Sequence, residues 1–191
     1  YRNGYLMVKP GSTKSTILFA DIAVDENGHL TFTGDDLTAV EAGNGNGFKL
    51  GGSNMPGAHK LINSYAFFNR SKGIDSNSCP DVIVENCVSY NNLRYNVAFY
   101  TNVEQDTAYQ ATGVISFKDE TIEGGDASEG DEFKPKGKQN MADFQNDTCY
   151  YWNGAVCANA SGDTLTADDF VSLEFKGVNR NEDGSIDMQG F

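Results

Sequence analysis

Long hydrophobic runs are absent from this sequence. Nowhere do about eighteen apolar residues follow one another, so no segment reads as a membrane-spanning helix. The opening residues, YRNGYLMVKPG, also lack the apolar core of a secretory leader. Basic residues are scarce. Fourteen Lys and Arg stand against 27 Asp and Glu, for a net charge of −13. Nucleic-acid partners usually require a basic face, and this balance argues against one. Cysteine is limited to Cys79, Cys87, Cys149 and Cys157, two pairs each spaced by eight. That spacing is too long for the tight CxxC knuckle of a structural zinc site. An even count permits disulfides in an oxidising compartment, and the same residues equally suit a core as small apolar thiols. Stretches with the helical period are missing as well.

What is present fits one folded domain. The 191 residues are long enough for a sizeable core. Hydrophobic content of 39% with charged content of 21% speaks against disorder. Charge is unevenly spread: residues 42–94 sum to +2, through Lys49, Lys60, Arg70, Lys72 and Arg94 against Asp75, Asp81 and Glu85. The rest of the chain therefore carries −15. A locally cationic surface on an acidic protein suits an anionic ligand.

The sequence repeats itself. Asn63-Ser64-Tyr65-Ala66-Phe67-Phe68-Asn69 aligns with Asn86-Cys87-Val88-Ser89-Tyr90-Asn91-Asn92 at an offset of 23. Val114–Asp119 continues the pattern loosely at an offset near 27, and Cys149–Asn153 reads as a degenerate copy. A second column holds Gly47-Phe48-Lys49-Leu50, Gly73-Ile74-Asp75-Ser76 and Asn96-Val97-Ala98-Phe99. Strand alternation puts Phe48, Ile74 and Val97 on one side and Lys49, Asp75 and Ala98 on the other. Each repeat thus offers short strands joined by Gly/Asn turns. The fold class this implies is all-β, a parallel β-helix whose coils stack about 4.8 Å apart. Inward Val, Ile, Phe and Tyr form one long core. Asparagines at equivalent turns, Asn63/Asn86 and Asn69/Asn92, stack as hydrogen-bonded ladders.

Two segments interrupt the repeat. Residues 17–33 alternate apolar and polar around Asn27-Gly28, which predicts an inserted hairpin. Residues 119–138 are Gly- and acid-rich, then basic, and read as a long solvated excursion. Thr166-Ala167-Asp168-Asp169 predicts a capping box on a short helix, within a segment, 160–191, expected to cap the last coil. Asn179–Asp187 echoes the start of an EF-hand loop, but Gly190 stands where the twelfth-position Glu is needed, so a surface turn is expected.

GNGNGFKLGG (43–52), HKLINSYAFFN, KGIDSN and VENCVSYNN together resemble the pectate lyases of polysaccharide lyase family nine, as does the tail DDFVSLEFKGVNRNEDGSIDMQGF. The resemblance implies a right-handed parallel β-helix that cleaves polygalacturonate by β-elimination. It implies a lysine base, which falls on Lys49, and calcium held by aspartates on preceding coils. It also implies a secreted protein, since the polymer lies outside the cell, acting as a monomer without nucleic acid or membrane.

The chemistry explains why such residues are needed. The C5 proton lies alpha to a carboxylate and is weakly acidic, so a neutral amine must accept it while a cation on the carboxylate withdraws charge. Lysine's reference pKa is about 10.4, so the surroundings must favour the neutral amine. Asp75 stands one coil from Lys49, where a carboxylate would oppose this; it orients Lys49, binds a sugar hydroxyl or caps a turn. Asn46, Lys72, Asp75, Arg94 and Asn96 are the candidate substrate-binding residues, Arg94 by a bidentate fork. Lys72, Arg94 and Asn96 read as surface groups before they read as ligands, and His59 as structural.

Only 48 residues precede Lys49, and the acidic doublet among them, Asp35-Asp36, does not show the spaced aspartates expected for calcium. The chain therefore reads as the C-terminal part of a longer enzyme, with its calcium ligands upstream and no metal site of its own. Two rivals remain. A glycoside hydrolase needs paired carboxylates, which the Lys49, Asp75, Ala98 column does not supply. A non-catalytic polysaccharide-binding or adhesin module has the same fold signature.

Overall fold

A computed structural model describes residues 21–24, 30–33, 45–104, 108–119, 127–137, 140–174, 179–183 and 186–187. Strands of two to four residues, separated by Gly- and Asn-rich bends, make up nearly all of its regular structure. In one compact unit, Tyr1–Gly45, β1 (Asp21–Val24) pairs antiparallel with β2 (Leu30–Thr33), Val24 opposite Leu30. These are the strands of the expected hairpin; its Asn27-Gly28 turn lies outside the described residues.

The second unit, Asn46–Phe191, carries the repeat. Its strands in chain order are β3 (Phe48–Lys49), β4 (Lys60–Ile62), β5 (Tyr65–Phe67), β6 (Ile74–Asp75), β7 (Ile83–Glu85), β8 (Val88–Tyr90), β9 (Val97–Tyr100), β10 (Gln110–Thr112), β11 (Ile115–Phe117) and β12 (Glu132–Lys134). They form three parallel sheets, in the orders β3-β6-β9-β12, β4-β7-β10 and β5-β8-β11. This is a parallel β-helix. Its register is the one the offsets predict: Phe48, Ile74 and Val97 align, as do Lys49, Asp75 and Ala98.

Bends of left-handed backbone divide the coils. Asn63 (φ 49°), Asn86 (φ 50°) and Gly113 (φ 64°) hold the same position between successive sheets. Asn tolerates this conformation better than other side chains, and Gly without strain. The Asn63 and Asn86 side chains make no hydrogen bond to each other among the described residues, so that pair shares a backbone conformation and is not a ladder. Asn69 and Asn92 do form one. Asn92 Oδ1 accepts from Asn69 Nδ2 at 2.7 Å and from Asn69 N–H at 3.1 Å.

Leu61, Val84, Ile74, Val97, Phe99, Tyr109 and Phe144 build the interior. The aromatic residues of β5-β8-β11 do not join it. Ala66, Ser89 and Ser116 are the inward-facing residues of those strands. Phe67, Tyr90 and Phe117 form a second cluster with Trp152, Leu165, Phe170 and Leu173 of the C-terminal segment. The single expected core is thus two.

The 119–138 reading also needs correction. Within it β12 pairs with β9, Glu132 opposite Ala98, and Phe133 packs against the core. The strand was hidden because it is only three residues long and follows its partner after 34 residues instead of about 25.

Beyond β12, Tyr150 bridges Ile115 in parallel, the start of a further coil. The chain then folds back as β13 (Tyr151–Trp152), β14 (Cys157–Ala158) and β15 (Thr164–Leu165), an antiparallel sheet. A single 3₁₀ turn, Ala167–Asp169, follows. Thr166 N–H donates to the Asp169 carboxylate at 2.7 Å, the reciprocal half of the expected capping box. β16 (Asn179–Arg180) pairs with β17 (Ile186–Asp187) as a hairpin across the EF-hand-like stretch.

All four cysteines are buried free thiols, which decides against the disulfide alternative. Burial pushes Cys79 up to about 11 and Cys157 to about 12.

Candidate active site

Lys49 stands on the outward face of β3, exposed to solvent. Among the described residues its side chain has no hydrogen bond or ion pair. Asp75 is its partner across the sheet.

The glycines around Lys49 have a structural reason. A Cβ on Gly47 would lie 2.7 Å from Asn69 Nδ2 and 2.8 Å from the Gly73 carbonyl oxygen. At Gly73 it would collide with Ser89, Asn92 and Asn96. The two glycines thus leave room for the amide ladder that turns the corner beside the sheet. Gly51, at φ +114°, would place a Cβ 2.6 Å from that of Cys79.

Asp75 is 2% exposed, although it points out of the coil. Its Oδ2 accepts from Asn46 Nδ2 at 2.7 Å, and its Oδ1 accepts from Asn77 N–H at 2.9 Å and Lys72 Nζ at 3.3 Å. Lys72 Nζ also lies 3.7 Å from Glu132 Oε2 and sits 4.3 Å above the Tyr100 ring centroid. The Lys72 N–H donates to Asn46 Oδ1 at 3.2 Å. Three of the sequence candidates, Asn46, Lys72 and Asp75, therefore form one network beside Lys49.

The other candidates lie elsewhere. Arg94 is exposed, its Nε 3.6 Å from Glu129 and its guanidinium 4.8 Å from the Tyr95 ring centroid. Asn96 is fully enclosed. Its Oδ1 accepts from Asn92 N–H and Nδ2 at 3.0 and 2.8 Å, and its Nδ2 donates to the Phe117 carbonyl at 2.8 Å. Its groups are thus committed to the corner. His59 is exposed beside Gly51 and Gly57.

Sequence reasoning missed four neighbours: Glu132, Lys134, Tyr95 and Tyr100. The apolar Phe133 between the charges of Glu132 and Lys134 was the available strand signal. Burial, followed by the charge of Asp75 and then Glu132, pushes the Tyr100 phenol upward. Tyr95 moves the same way, through burial and then Glu132. Both remain neutral at ordinary pH.

The acids described on this face are engaged by lysines and are not gathered around a metal. Among the described residues no three His, Cys, Asp or Glu side chains converge. The acids of this face, Asp75 and Glu132, both turn to Lys72. A cavity of about 580 Å³ lies elsewhere, lined by Asp131, Phe133, Met141, Tyr151 and Trp152 among others. Lys49 is not among its lining residues.

The family described as Pel9A-like, right-handed beta helix region, matches residues 11–112. Pectate lyase L of Thermoclostridium stercorarium is 34% identical over 167 residues, covering 87% of this chain and 12% of the relative. Pectate lyase L of Paenibacillus polymyxa is 33% identical over 157 residues, 82% of this chain and 30% of the relative. That of Dickeya dadantii is 34% identical over 149 residues, 76% of this chain and 28% of the relative. The chain thus spans less than a third of the length of each. No solved structure matches it significantly. Fold, register and sequence likeness agree, and the chain belongs to the Pel9A-like right-handed β-helix family.

Proposed function

We propose that this chain carries the base of a pectate lyase, and that Lys49 removes the C5 proton of a polygalacturonate residue. The observation that carries this reading is an exposed lysine, without a counter-ion among the described residues, in the glycine-rich motif and on the outward face of a parallel sheet. An exposed base on a strand face is reachable by a polymer where an enclosed one would not be. In the elimination, the C5–H bond breaks and its proton passes to Lys49 Nζ. The C5 electron pair becomes the C4=C5 double bond, and the C4–O bond breaks with its pair on the glycosidic oxygen, which takes a proton from solvent. Arg94, exposed but outside the Lys49 network and 3.6 Å from Glu129, would have to leave that partner to bind a substrate carboxylate. Asn46 and Asp75 serve by holding the surface beside the base. Asn96 is not carried forward, because its amide is enclosed.

Pectate lyase L relatives of 33–34% identity support the reading. Calcium is expected from the resemblance, and none of the residues named here is assigned to hold it. A polymer substrate places the protein outside the cell.

The test is ultraviolet absorbance of polygalacturonate incubated with the chain, with calcium and then with chelator. The unsaturated product absorbs, and hydrolysis yields none. A rise is expected, falling about 10²–10⁴-fold in Lys49→Ala with the circular dichroism unchanged. A flat trace from folded protein, and again from a version extended upstream, overturns the lyase reading and leaves a polysaccharide-binding β-helix.

A further inference from the structure

We infer that Lys72 is a positioning residue for Lys49: it neutralises Asp75, so that the carboxylate one rung along the sheet does not hold the Lys49 amine as its own counter-ion. The inference takes its functional meaning from the lyase reading, while its electrostatic content stands on the geometry alone. A base must be neutral when it accepts a proton. Stacked strands lie about 4.8 Å apart, so paired side chains on one face are neighbours, and an uncompensated carboxylate beside an amine favours its ammonium form.

The structure answers that carboxylate with a built counter-ion. The side chains of Asp75 and Lys72 are 2% and 11% exposed, so their attraction is screened little by water. Lys72 is fixed on several sides. It contacts Asp75 at 3.3 Å and Glu132 at 3.7 Å, and lies over Tyr100 at 4.3 Å and Tyr95 at 5.9 Å. Asn46 and Asn77 complete the shell of Asp75 with neutral donors. From β9, Ala98 and the phenol of Tyr100 face the same space without charge. From β12 comes Glu132, paired with Lys72 and with Lys134. Asp75 and Glu132 are therefore balanced by Lys72 and Lys134, and Lys49 is left as the cation that this network does not need.

The test follows the side-chain carbon beside Nζ in the chain labelled with ¹³C-lysine, Lys49 being assigned by its loss in Lys49→Arg. In Lys72→Gln the Lys49 titration midpoint should rise by about one pH unit. Lys72→Arg should keep it, and Lys72→Gln with Asp75→Asn should return it. The acid limb of kcat/KM against pH should move with the midpoint, with activity regained at high pH. A merely structural role would lower the rate at every pH and leave the limb in place. An unchanged midpoint in folded Lys72→Gln overturns the inference. If that variant does not fold, Asp75→Asn decides. It removes one of the two carboxylates that face Lys72, leaving Glu132, and should lower the Lys49 midpoint; no change overturns the inference. A shifted midpoint in a protein that makes no unsaturated product would retain the electrostatic pairing and remove the lyase reading.

Discussion

Two sheets of this solenoid use the same strand alternation in opposite ways. On β3-β6-β9-β12 the bulk points inward, through Ile74, Val97 and Phe99, and the outward row is Lys49, Asp75, Ala98 and Glu132. On β5-β8-β11 the inward residues are Ala66, Ser89 and Ser116, and the aromatics point out. The cause lies in the corner between them. Asn92 Nδ2 reaches the Ala66 carbonyl and Ser89 Oγ, both at 3.0 Å, and Ser89 Oγ donates to the Asn96 carbonyl at 2.7 Å. Side-chain amides fill the interior beside β8, so only small residues fit there. The displaced aromatic bulk then needs cover from outside, which the C-terminal segment provides. On the sheet whose bulk is already inside, the outward row carries a charged network instead, with Lys49 exposed at its first rung.

The largest expected effect tests the inward side. Phe99 is fully buried, its ring 5.3 Å from that of Tyr109, 5.8 Å from Phe144 and 5.9 Å from Phe133. Phe99→Ala should cost about 3–5 kcal/mol in denaturant unfolding. A loss under about 1 kcal/mol would show that the bulk of this sheet does not carry the fold.

The corner itself is tested next. Gly73→Ala would bring a methyl within 2.5 Å of Asn92 Nδ2 and closer still to Ser89 Oγ. The expected cost is about 2–3 kcal/mol, partly recovered in Gly73→Ala with Ser89→Gly. No recovery would mean that the corner is limited by its backbone and not by these side chains.

These residues also mark how far the sequence could be read. Repeat offsets place Lys49 beside Asp75 and Asn69 beside Asn92, because a parallel coil converts sequence spacing directly into register. The Asn27-Gly28 pattern predicts β1 and β2 in the same local way. Alternation in Tyr65-Ala66-Phe67 separates two faces but does not say which is inner, since that depends on amides more than twenty residues away. β12 was hidden by the long insertion before it. The hold of Lys72 on Asp75 was invisible for a similar reason: it depends on Glu132 and Tyr100, brought in by that strand and by β9.

The row of Phe48, Ile74 and Val97 has an acid at its fourth rung, and this gives a pH test. Asp131 Oδ1 accepts from Val97 N–H at 2.8 Å and its Oδ2 from Trp152 N–H at 3.1 Å. Burial nevertheless raises its carboxyl from 3.8 to about 6. The folded chain therefore holds a proton that the unfolded chain releases between these values. More protons on the folded state mean that stability falls as pH rises through this window and levels above it. The contribution is about 3 kcal/mol. The difference in stability between the parent and Asp131→Asn, measured from pH 3.5 to 7.5, should show this slope. A flat difference would mean that water reaches the carboxyl and that this rung is not part of the interior.

The smallest effect tests the covered face. Phe170 follows the 3₁₀ turn, and its ring lies 4.8 Å from that of Phe117, which is itself 5% exposed. Phe170 is only half-buried, so Phe170→Ala loses part of one aromatic contact, about 1 kcal/mol. The more telling readout is a dye that binds exposed apolar surface, because the cover over Phe117 and Tyr90 would be thinned while the interior built on Phe99 stays intact. Dye binding should rise and the rate of unsaturated product formation should stay within about twofold, since Phe170 packs on the β11 side and has no place in the Lys49 network. A fall in rate as large as that of Lys49→Ala would mean that the two faces are coupled, and that the Lys49 sheet depends on the aromatic one for more than its place in the coil.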